Sequence, residues 1–209
     1  LTTLGVGHKF FPIDVTHSDA ANQALLAAIN NFGGLDILIS NAGAAHAGPM
    51  LDISNEELRN AFELNFFSHY SFSTEAAKIL KDQNRGGQIL FNISKQAVNP
   101  GKNFGAYGLP KATTFFLMRQ LALELGSDGI RVNGINADRI RSGLLTDEFI
   151  SSRAKSRGVS ESEYMAGNLL NKEVTAEHVA DAFTALAGAE STTGHVMTVD
   201  GGNIEASLR

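Results

Sequence analysis

The chain has 209 residues, of which 43% are hydrophobic and 19% are charged, and its formal net charge is −5. These proportions are typical of a globular protein and exclude a mainly disordered chain. The negative balance argues against a general nucleic-acid binder, and the absence of cysteine excludes disulfides, thiolate nucleophiles and cysteine-ligated zinc. No apolar run reaches the roughly 18–20 residues that span a bilayer, so we expect a soluble, cytoplasmic protein.

Short apolar segments and helical patterns alternate along the chain. The predicted strands are, in chain order, His8–Val15, Asp36–Ser40, Gly87–Ser94, Ile130–Asn136 and Val196–Val199. The predicted helices run from a cap at Thr16 or Ser18 through Asn31, from Ser54 towards Gln83, from Tyr107 to Leu125, and from Thr175 to about Ala187. Ser54 and Glu57 form a candidate capping box for the second of these helices.

This alternation implies helical crossovers between parallel strands. We therefore predict an α/β protein with a doubly wound, mostly parallel sheet and helices on both faces. No repeat or linker divides residues 1–209, so we expect one domain, with the polar segment 142–172 as a lid over the substrate. Ligands of such sheets bind beyond the carboxyl ends of the strands, where Asp14, Asn41, Ser94 and Asn136 lie.

Tyr107 and Lys111 lie four residues apart at the start of a predicted helix, so they share one face. Pro110 places the helix start nearby, because proline is tolerated in the first turn. A lysine ammonium and the positive end of the helix would stabilise the phenolate and lower the tyrosine pKa from about 10. Ser94, at the end of a strand, adds a hydroxyl that this geometry brings to the phenol. The pair alone is a weak signal, and Ser94 makes it more specific.

With these residues the chain resembles the classical short-chain dehydrogenase/reductase family over nearly its whole length. The matching motifs are Asp14-Val15, Asn41-Ala42-Gly43-Ala44, Asn65, Ser94, Tyr107-Gly-Leu-Pro-Lys111, Ile130-Arg-Val-Asn133, Thr193-Gly194 and Val199-Asp200-Gly201-Gly202. The resemblance implies a Rossmann-like sheet, NAD or NADP as cofactor, and hydride transfer between the cofactor and an alcohol or carbonyl carbon. The residues after Ser94 and the stretch 136–142 are also similar to the dehydrogenase portion of fused aldolase–dehydrogenase proteins of sugar breakdown.

The resemblance implies four catalytic residues. Tyr107 would be the general acid in reduction and the general base in oxidation. Lys111 would lower the tyrosine pKa, and both would lie at the nicotinamide ribose. Ser94 would hold the substrate oxygen and stabilise the charge that develops on it. Asn65 would anchor a water in a proton path through Lys111; the alternative is a polar residue on a helix without such a role.

The resemblance also implies further cofactor-binding residues. Asp14 would accept a hydrogen bond from the adenine amino group, with Val15 packed nearby, but a capping aspartate explains this position equally well. Asn41, Ala42 and Gly43 would pass under the cofactor, where glycine permits close approach. Ser142 falls where the family often has a threonine that holds the nicotinamide carboxamide.

The sequence departs from the family at its start. The Gly-x-x-x-Gly-x-Gly turn that cradles the pyrophosphate has no match, and a strand-like run follows Gly5-Val6-Gly7 where a phosphate loop needs a helix. When Asp14 is placed on the family pattern, roughly 40–50 residues of the first βαβ unit are missing ahead of Leu1. We therefore expect a fragment, or another element that fills the gap. The residue that separates NAD from NADP would lie there, so both cofactors stay open. A second departure is Ala137-Asp138, where the family usually has Pro-Gly.

Four cations lie near the predicted mouth of the site: Lys95, Lys102, Arg139 and Arg141. In an acidic protein they could steer an anionic substrate such as a sugar acid or a sugar phosphate. Solvated surface charges or ion pairs at an interface explain them equally well.

Other functions stay open on the sequence alone. The chain could be an inactive scaffold or oligomerisation partner, or a sugar epimerase or dehydratase that uses the same Tyr/Lys pair. A serine hydrolase is disfavoured, because Ser94 lacks the flanking glycines of a nucleophile elbow. The six histidines have no metal-ligand spacing, so we expect no metal. The family implies a homodimer or homotetramer, and we expect a small-molecule substrate and neither a nucleic acid nor a membrane as partner.

Overall fold

A four-stranded parallel sheet forms the centre of the protein, in a computed structural model that describes residues 7–203. Its strands lie in chain order and are β1 (Ile37–Ser40), β2 (Gly87–Asn92), β3 (Ile130–Ala137) and β4 (Val196–Val199). Ser40 pairs with Phe91, and Ala137 pairs with Val199. The carboxyl ends of neighbouring strands therefore meet at one edge of the sheet.

Helices cover both faces of this sheet. They are α1 (Ala20–Phe32), α2 (Asn55–Phe62), α3 (Ser68–Gln83), α4 (Gly105–Leu125), α5 (Asp147–Arg157), α6 (Glu161–Met165) and α7 (Ala176–Gly188). Successive strand side chains point to opposite faces: Ile89 and Phe91 pack among α3 and α4, whereas Leu90 packs against α7. This arrangement confirms the predicted doubly wound α/β fold.

The predicted long helix 54–83 is interrupted. The capping box of Ser54 and Glu57 is confirmed at the start of α2. Between α2 and α3 the backbone forms one π-helical segment, Glu63–Phe67. The Thr114 hydroxyl of α4 donates a hydrogen bond to the Asn65 carbonyl at 2.8 Å, so α4 supplies a partner to this segment. Such π segments are frequent at functional sites.

Two predictions at the start of the chain are wrong. Residues 8–15 form no strand, because Pro12 lacks an N–H donor and no strand among residues 7–203 lies beside β1 on its outer side. Helix α1 is capped at Asp19 and not at Thr16 or Ser18. Its predicted end is confirmed, since Gly33 adopts the left-handed conformation with φ 82°.

Strand β1 is the edge of the sheet in the described part of the chain. Its outward side chains Ile37 and Ile39 are 42% and 50% exposed. That a further βαβ unit precedes this chain stays a prediction. Among residues 7–203 no helix has the length and apolar character needed to cross a membrane.

Candidate active site

Four predicted catalytic residues converge at the carboxyl edge of the sheet. Ser94 follows β2 and caps a short 3₁₀ turn, accepting a hydrogen bond from the Gln96 N–H at 3.2 Å. Tyr107 and Lys111 share one face of α4, with the Lys111 Nζ 5.8 Å from the centre of the tyrosine ring. Asn65 enters from the π segment and is fully buried. The structure thus brings together all four residues.

The position of Tyr107 in its helix differs from the prediction. Helix α4 begins at Gly105, so Tyr107 is its third residue and Pro110 its sixth. Pro110 therefore lies beyond the first turn, where its missing N–H leaves a carbonyl of that turn without its usual helical partner. Tyr107 still lies within the first turn, where the positive end of the helix acts on it.

The Tyr107 phenol is buried and hydrogen-bonded to the Ser94 side chain. Burial raises its pKa, because a phenolate loses hydration there, and the hydrogen bond from Ser94 acts in the opposite direction. The expected lowering of the tyrosine pKa is therefore wrong for the protein by itself. At neutral pH the phenol carries its proton.

Lys111 is a buried cation without a carboxylate partner among the described residues. Its Nζ donates to the Asn92 carbonyl at 3.0 Å and lies 3.4 Å from Nε2 of His69. Burial lowers the pKa of Lys111 to about 8, so the side chain is charged at neutral pH and loses its proton in mildly alkaline solution. A ligand hydroxyl would supply a further acceptor for this ammonium.

The two polar atoms of the Asn65 side-chain amide differ, because one has hydrogen-bond partners and the other has none among the described residues. Its Nδ2 donates to the Ala44 and Ala61 carbonyls at 2.9 and 3.1 Å, while the buried Oδ1 has no hydrogen-bond partner in residues 7–203. A Cβ at Gly43 would lie 2.8 Å from this oxygen and 3.6 Å from Lys111 Nζ. Glycine is thus required at a point that both polar groups face.

These features fit the nicotinamide ribose half of a dinucleotide. Lys111 provides a buried ammonium, Tyr107 a phenol and Asn65 an unpaired amide oxygen. Gly43, without a side chain, leaves space for a ligand next to them. Asn41 is fixed at the end of β1, because its side-chain oxygen accepts from Asn92 Nδ2 at 2.7 Å. Gly5 and Val6 of the Gly5-Val6-Gly7 sequence lie outside the described residues.

The other predicted cofactor contacts lie on the surface and keep their roles as predictions. The Asp14 carboxylate is exposed and accepts from the Thr16 N–H at 3.0 Å and the Thr16 hydroxyl at 2.7 Å, which lowers its pKa. Asp14 therefore closes a local turn and does not cap a helix, since the N-cap of α1 is Asp19. Val15 is half-buried beside it. The Ser142 hydroxyl donates to the Ile140 carbonyl at 3.2 Å, and Ser142 lines the same cavity as Ser94 and Tyr107.

A cavity of about 590 Å³ opens in front of Ser94 and Tyr107. Lys95, Lys102 and Arg139 line it, as the sequence predicted. The expectation for Arg141 is wrong: it lies outside the lining and forms ion pairs of 2.7 Å with Asp147 and Glu173. Two nearby carboxylates hold this guanidinium away from the opening.

Sequence reasoning missed three features of the site. His69 lies against Lys111, and a lone histidine in a helical pattern gave no signal of this. Arg153 and Arg157 of α5 line the cavity, although their spacing of four residues on a predicted polar segment was a usable signal. Asp138, at the departure from the family pattern, forms ion pairs with Lys95 at 3.2 Å and Arg139 at 3.1 Å.

Comparison with known proteins identifies the family. The family profile described as "Enoyl-(Acyl carrier protein) reductase" matches residues 2–203. "Uncharacterized oxidoreductase YuxG" of Bacillus subtilis (strain 168) is 35% identical over 91% of this chain, which spans only 29% of that protein. The 7alpha-hydroxysteroid dehydrogenase of Escherichia coli (strain K12) is 31% identical over 92% of this chain and 72% of its own length. A short-chain type dehydrogenase/reductase structure from Mycobacterium marinum has a TM-score of 0.83 at 27% identity, covering 96% of this chain and 78% of that one. The chain belongs to the classical short-chain dehydrogenase/reductase family.

Proposed function

We propose that this protein is an NAD(P)-dependent oxidoreductase that transfers a hydride between the cofactor and a small alcohol or carbonyl substrate, sugar-derived or anionic. One observation carries the proposal: a buried phenol, hydrogen-bonded to a serine hydroxyl, faces a cavity and has a lysine one helical turn away. Membership of a family of dehydrogenases and reductases supports the same activity.

In reduction, the hydride for the carbonyl carbon would come from bound NADH or NADPH. The Ser94 hydroxyl donates a hydrogen bond to the carbonyl oxygen and stabilises its developing charge. The Tyr107 phenol gives its proton to the same oxygen, which completes the alcohol. Lys111 stabilises the phenolate that results, and the free Asn65 Oδ1 beside it provides an anchor for a water that returns a proton to the site.

Oxidation needs the opposite proton transfer, from the alcohol to the phenolate. Because burial raises the pKa of Tyr107, the protein by itself presents the acid form at neutral pH. Oxidation should therefore speed up as pH rises, until Lys111 loses its proton near pH 8. Reduction should be fastest at neutral pH or below.

The surroundings of the site support the remaining expectations. We propose residues 142–172 as a lid, since Phe149, Arg153 and Arg157 of α5 and Tyr164 of α6 line the cavity. On α4, Phe116 and Leu123 are 67% and 80% exposed, which favours a homodimer or homotetramer that buries this helix. The cytoplasmic location stays a prediction, and both NAD and NADP stay open as the cofactor.

The absorbance of the reduced nicotinamide tests the activity directly. The natural protein is mixed with NADH or NADPH and a panel of aldehydes and ketones, and with the oxidised cofactors and the matching alcohols. We expect cofactor-dependent turnover with at least one substrate pair. No turnover with any pair, despite measurable cofactor binding, would favour the inactive scaffold. Conversion of a sugar without net change in reduced cofactor would favour an epimerase or dehydratase.

A further inference from the structure

The cavity in front of Ser94 and Tyr107 carries an excess of positive charge. Among the described residues, five cations and one carboxylate line it: Lys95, Lys102, Arg139, Arg153, Arg157 and Asp138. The protein as a whole is negatively charged. The local excess is therefore a property of this cavity and attracts anions to it.

Two of the five cations already have partners. Lys95 and Arg139 both contact the Asp138 carboxylate, and Arg139 also donates to the Tyr164 carbonyl. The Arg139 guanidinium is further held over the Tyr164 ring at 5.1 Å. These contacts make Lys95 and Arg139 part of the cavity wall, with their charge shared with Asp138.

Arg153 differs, because its guanidinium is oriented without being neutralised. It lies 5.2 Å from the ring centre of Phe104 and 5.3 Å from that of Phe149, and it donates to the Lys102 carbonyl at 3.2 Å. Arg157, one helical turn along α5, lies 5.2 Å from the Tyr164 ring. Within the described ranges neither arginine nor Lys102 forms an ion pair.

We propose that Arg153 binds a carboxylate or phosphate group of the substrate, with Lys102 and Arg157 beside it, while the reacting carbon lies at Ser94 and Tyr107. A guanidinium fixed by aromatic rings presents its N–H donors in the planar pattern that an oxyanion accepts. The substrate class is thus a small hydroxy acid or sugar phosphate, or the matching carbonyl compound. This inference rests on the proposed hydride transfer.

Two matched substrate pairs test the subsite in the natural enzyme with its cofactor: lactate against 1,2-propanediol, and glycerol 3-phosphate against glycerol. We expect kcat/KM to be higher for the anionic member of at least one pair. The pair that shows this difference identifies the bound group as a carboxylate or a phosphate. Arg153→Met should lower that value about 10–100-fold, the loss of a charge-assisted hydrogen bond, and lower the value for the neutral member much less. The control is Lys155→Met, which removes an exposed cation of the same helix that does not line the cavity.

Anion binding without turnover separates this inference from the proposed activity. Inorganic phosphate and acetate are titrated into the protein, and the NMR signal of the Arg153 Nε–H is followed. We expect one of the two anions to shift the signal. No shift with either anion, or an equal loss for neutral and anionic substrates in Arg153→Met, would overturn the subsite. A clear shift in a protein that never turns over would instead overturn the proposed hydride transfer.

A second inference concerns His69, which is fully buried on α3 behind the site. Its Nδ1 lies 2.6 Å from the Ser40 hydroxyl at the end of β1, and its Nε2 lies 3.4 Å from Lys111 Nζ. Burial and the charge of Lys111 lower the pKa of His69 to about 3, so the ring is neutral at physiological pH. An ammonium only donates hydrogen bonds, so Nε2 accepts from Lys111 and Nδ1–H faces Ser40.

The geometry points to His69 as a positioning residue that holds the Lys111 ammonium in place next to Tyr107. Lys111 Nζ then lies between two acceptors, the Asn92 carbonyl and the His69 ring. The titratable groups that face Lys111 are Tyr107 on its own helix and His69 on α3. His69 thus connects the end of β1 to the proton-transfer group on α4.

Paired substitutions distinguish positioning from simple packing. His69→Leu removes the acceptor, so the pKa of Lys111, measured from the NMR shift of its Cε, should fall below about 8. The alkaline limb of the oxidation rate should move to lower pH with it. His69→Gln keeps an acceptor and should retain more of the wild-type pKa. Equal Lys111 pKa values in the wild type and both variants would overturn the inference, whatever happens to the melting temperature.

Discussion

The two walls of the cavity are built in different ways. The wall that carries Ser94 and Tyr107 is anchored in the main core, where β2, β3 and α4 pack fully buried side chains such as Ile89, Phe91 and Met118. The opposite wall, α5 and α6, depends on a separate small cluster: Leu145, Ile150, Ala154, Tyr164 and Met165.

This difference matches two tasks. Proton transfer needs side chains held within a narrow range of distances, which a buried helix against a sheet provides. Substrate binding and release need a wall that can open, and elements with few buried contacts open at low free-energy cost. Under the proposed function, the proton-transfer residues lie on the rigid wall of β2, β3 and α4, and Arg153 and Arg157 lie on the wall of α5 and α6.

Ser94→Ala tests the chemical role of the rigid wall, and its expected effect on kcat is large. Loss of the hydroxyl that stabilises the substrate oxygen should lower kcat by roughly 10²–10³-fold. The control is Ser152→Ala, at an exposed position of α5, which should leave kcat unchanged. Equal kcat values for the two variants in steady-state assays would contradict the role of Ser94.

Two isoleucine truncations compare the stability of the walls. Ile89→Ala, in the main core, should lower the free energy of unfolding by about 2–5 kcal/mol. Ile150→Ala, in the small cluster of α5, should lower it less and instead raise KM and increase amide exchange in 147–165. Chemical denaturation and hydrogen exchange measure these effects. Similar global losses in both variants would mean that the two walls unfold as one unit.

His69 makes the stability of the rigid wall dependent on acid. Its pKa in the folded protein is about 3 against 6.5 for the free side chain. The unfolded chain therefore binds a proton first as pH falls, and stability present above pH 6.5 is lost progressively down to pH 3. Between pH 7 and pH 4 the wild type should lose about 3 kcal/mol more than His69→Gln. An exposed control, His17→Gln, should behave as the wild type in urea titrations at both pH values.

Lys111→Met should show that the buried charge of Lys111, which the proposed mechanism needs, lowers the free energy of unfolding. Burial lowers the pKa of Lys111 from 10.5 to about 8, so the folded protein holds a disfavoured charge below pH 8. The variant should be more stable by about 1–3 kcal/mol at pH 7, an advantage that fades as pH rises from 8 to 10.5. Its turnover should fall sharply. Lys81→Met, at an exposed ion pair with Asp128, serves as the control, and a destabilised Lys111→Met would contradict this account.

The sequence alone predicted most of the rigid wall. Four short strands and the helices between them follow from period and capping, and Ser94, Tyr107 and Lys111 follow from spacing on a strand end and a helix start. The prediction of a strand at residues 8–15 was wrong, because an extended segment becomes a strand only when a neighbouring strand pairs with it. The π segment at Asn65 was missed because it depends on the Thr114 contact from another helix.

For the wall of α5 and α6, the sequence predicted only a polar segment. Arg153 becomes distinctive through Phe104 and Phe149, which are far from each other in sequence but enclose it in the fold. Arg141 has similar local surroundings in the sequence, yet two carboxylates pair with it. Tertiary contacts decide which cation stays available to a ligand. The number of charged residues near a motif therefore could not distinguish Arg153 from Arg141.

The most direct test of the central claim is the turnover of Tyr107→Phe against Tyr70→Phe, an exposed tyrosine on α3. Both variants are assayed at saturating substrate and cofactor, with the cofactor dissociation constant measured in parallel. We predict that Tyr107→Phe loses about 10²–10⁴-fold in kcat with cofactor binding retained, whereas Tyr70→Phe equals the wild type. Full turnover by Tyr107→Phe would contradict proton transfer through this phenol.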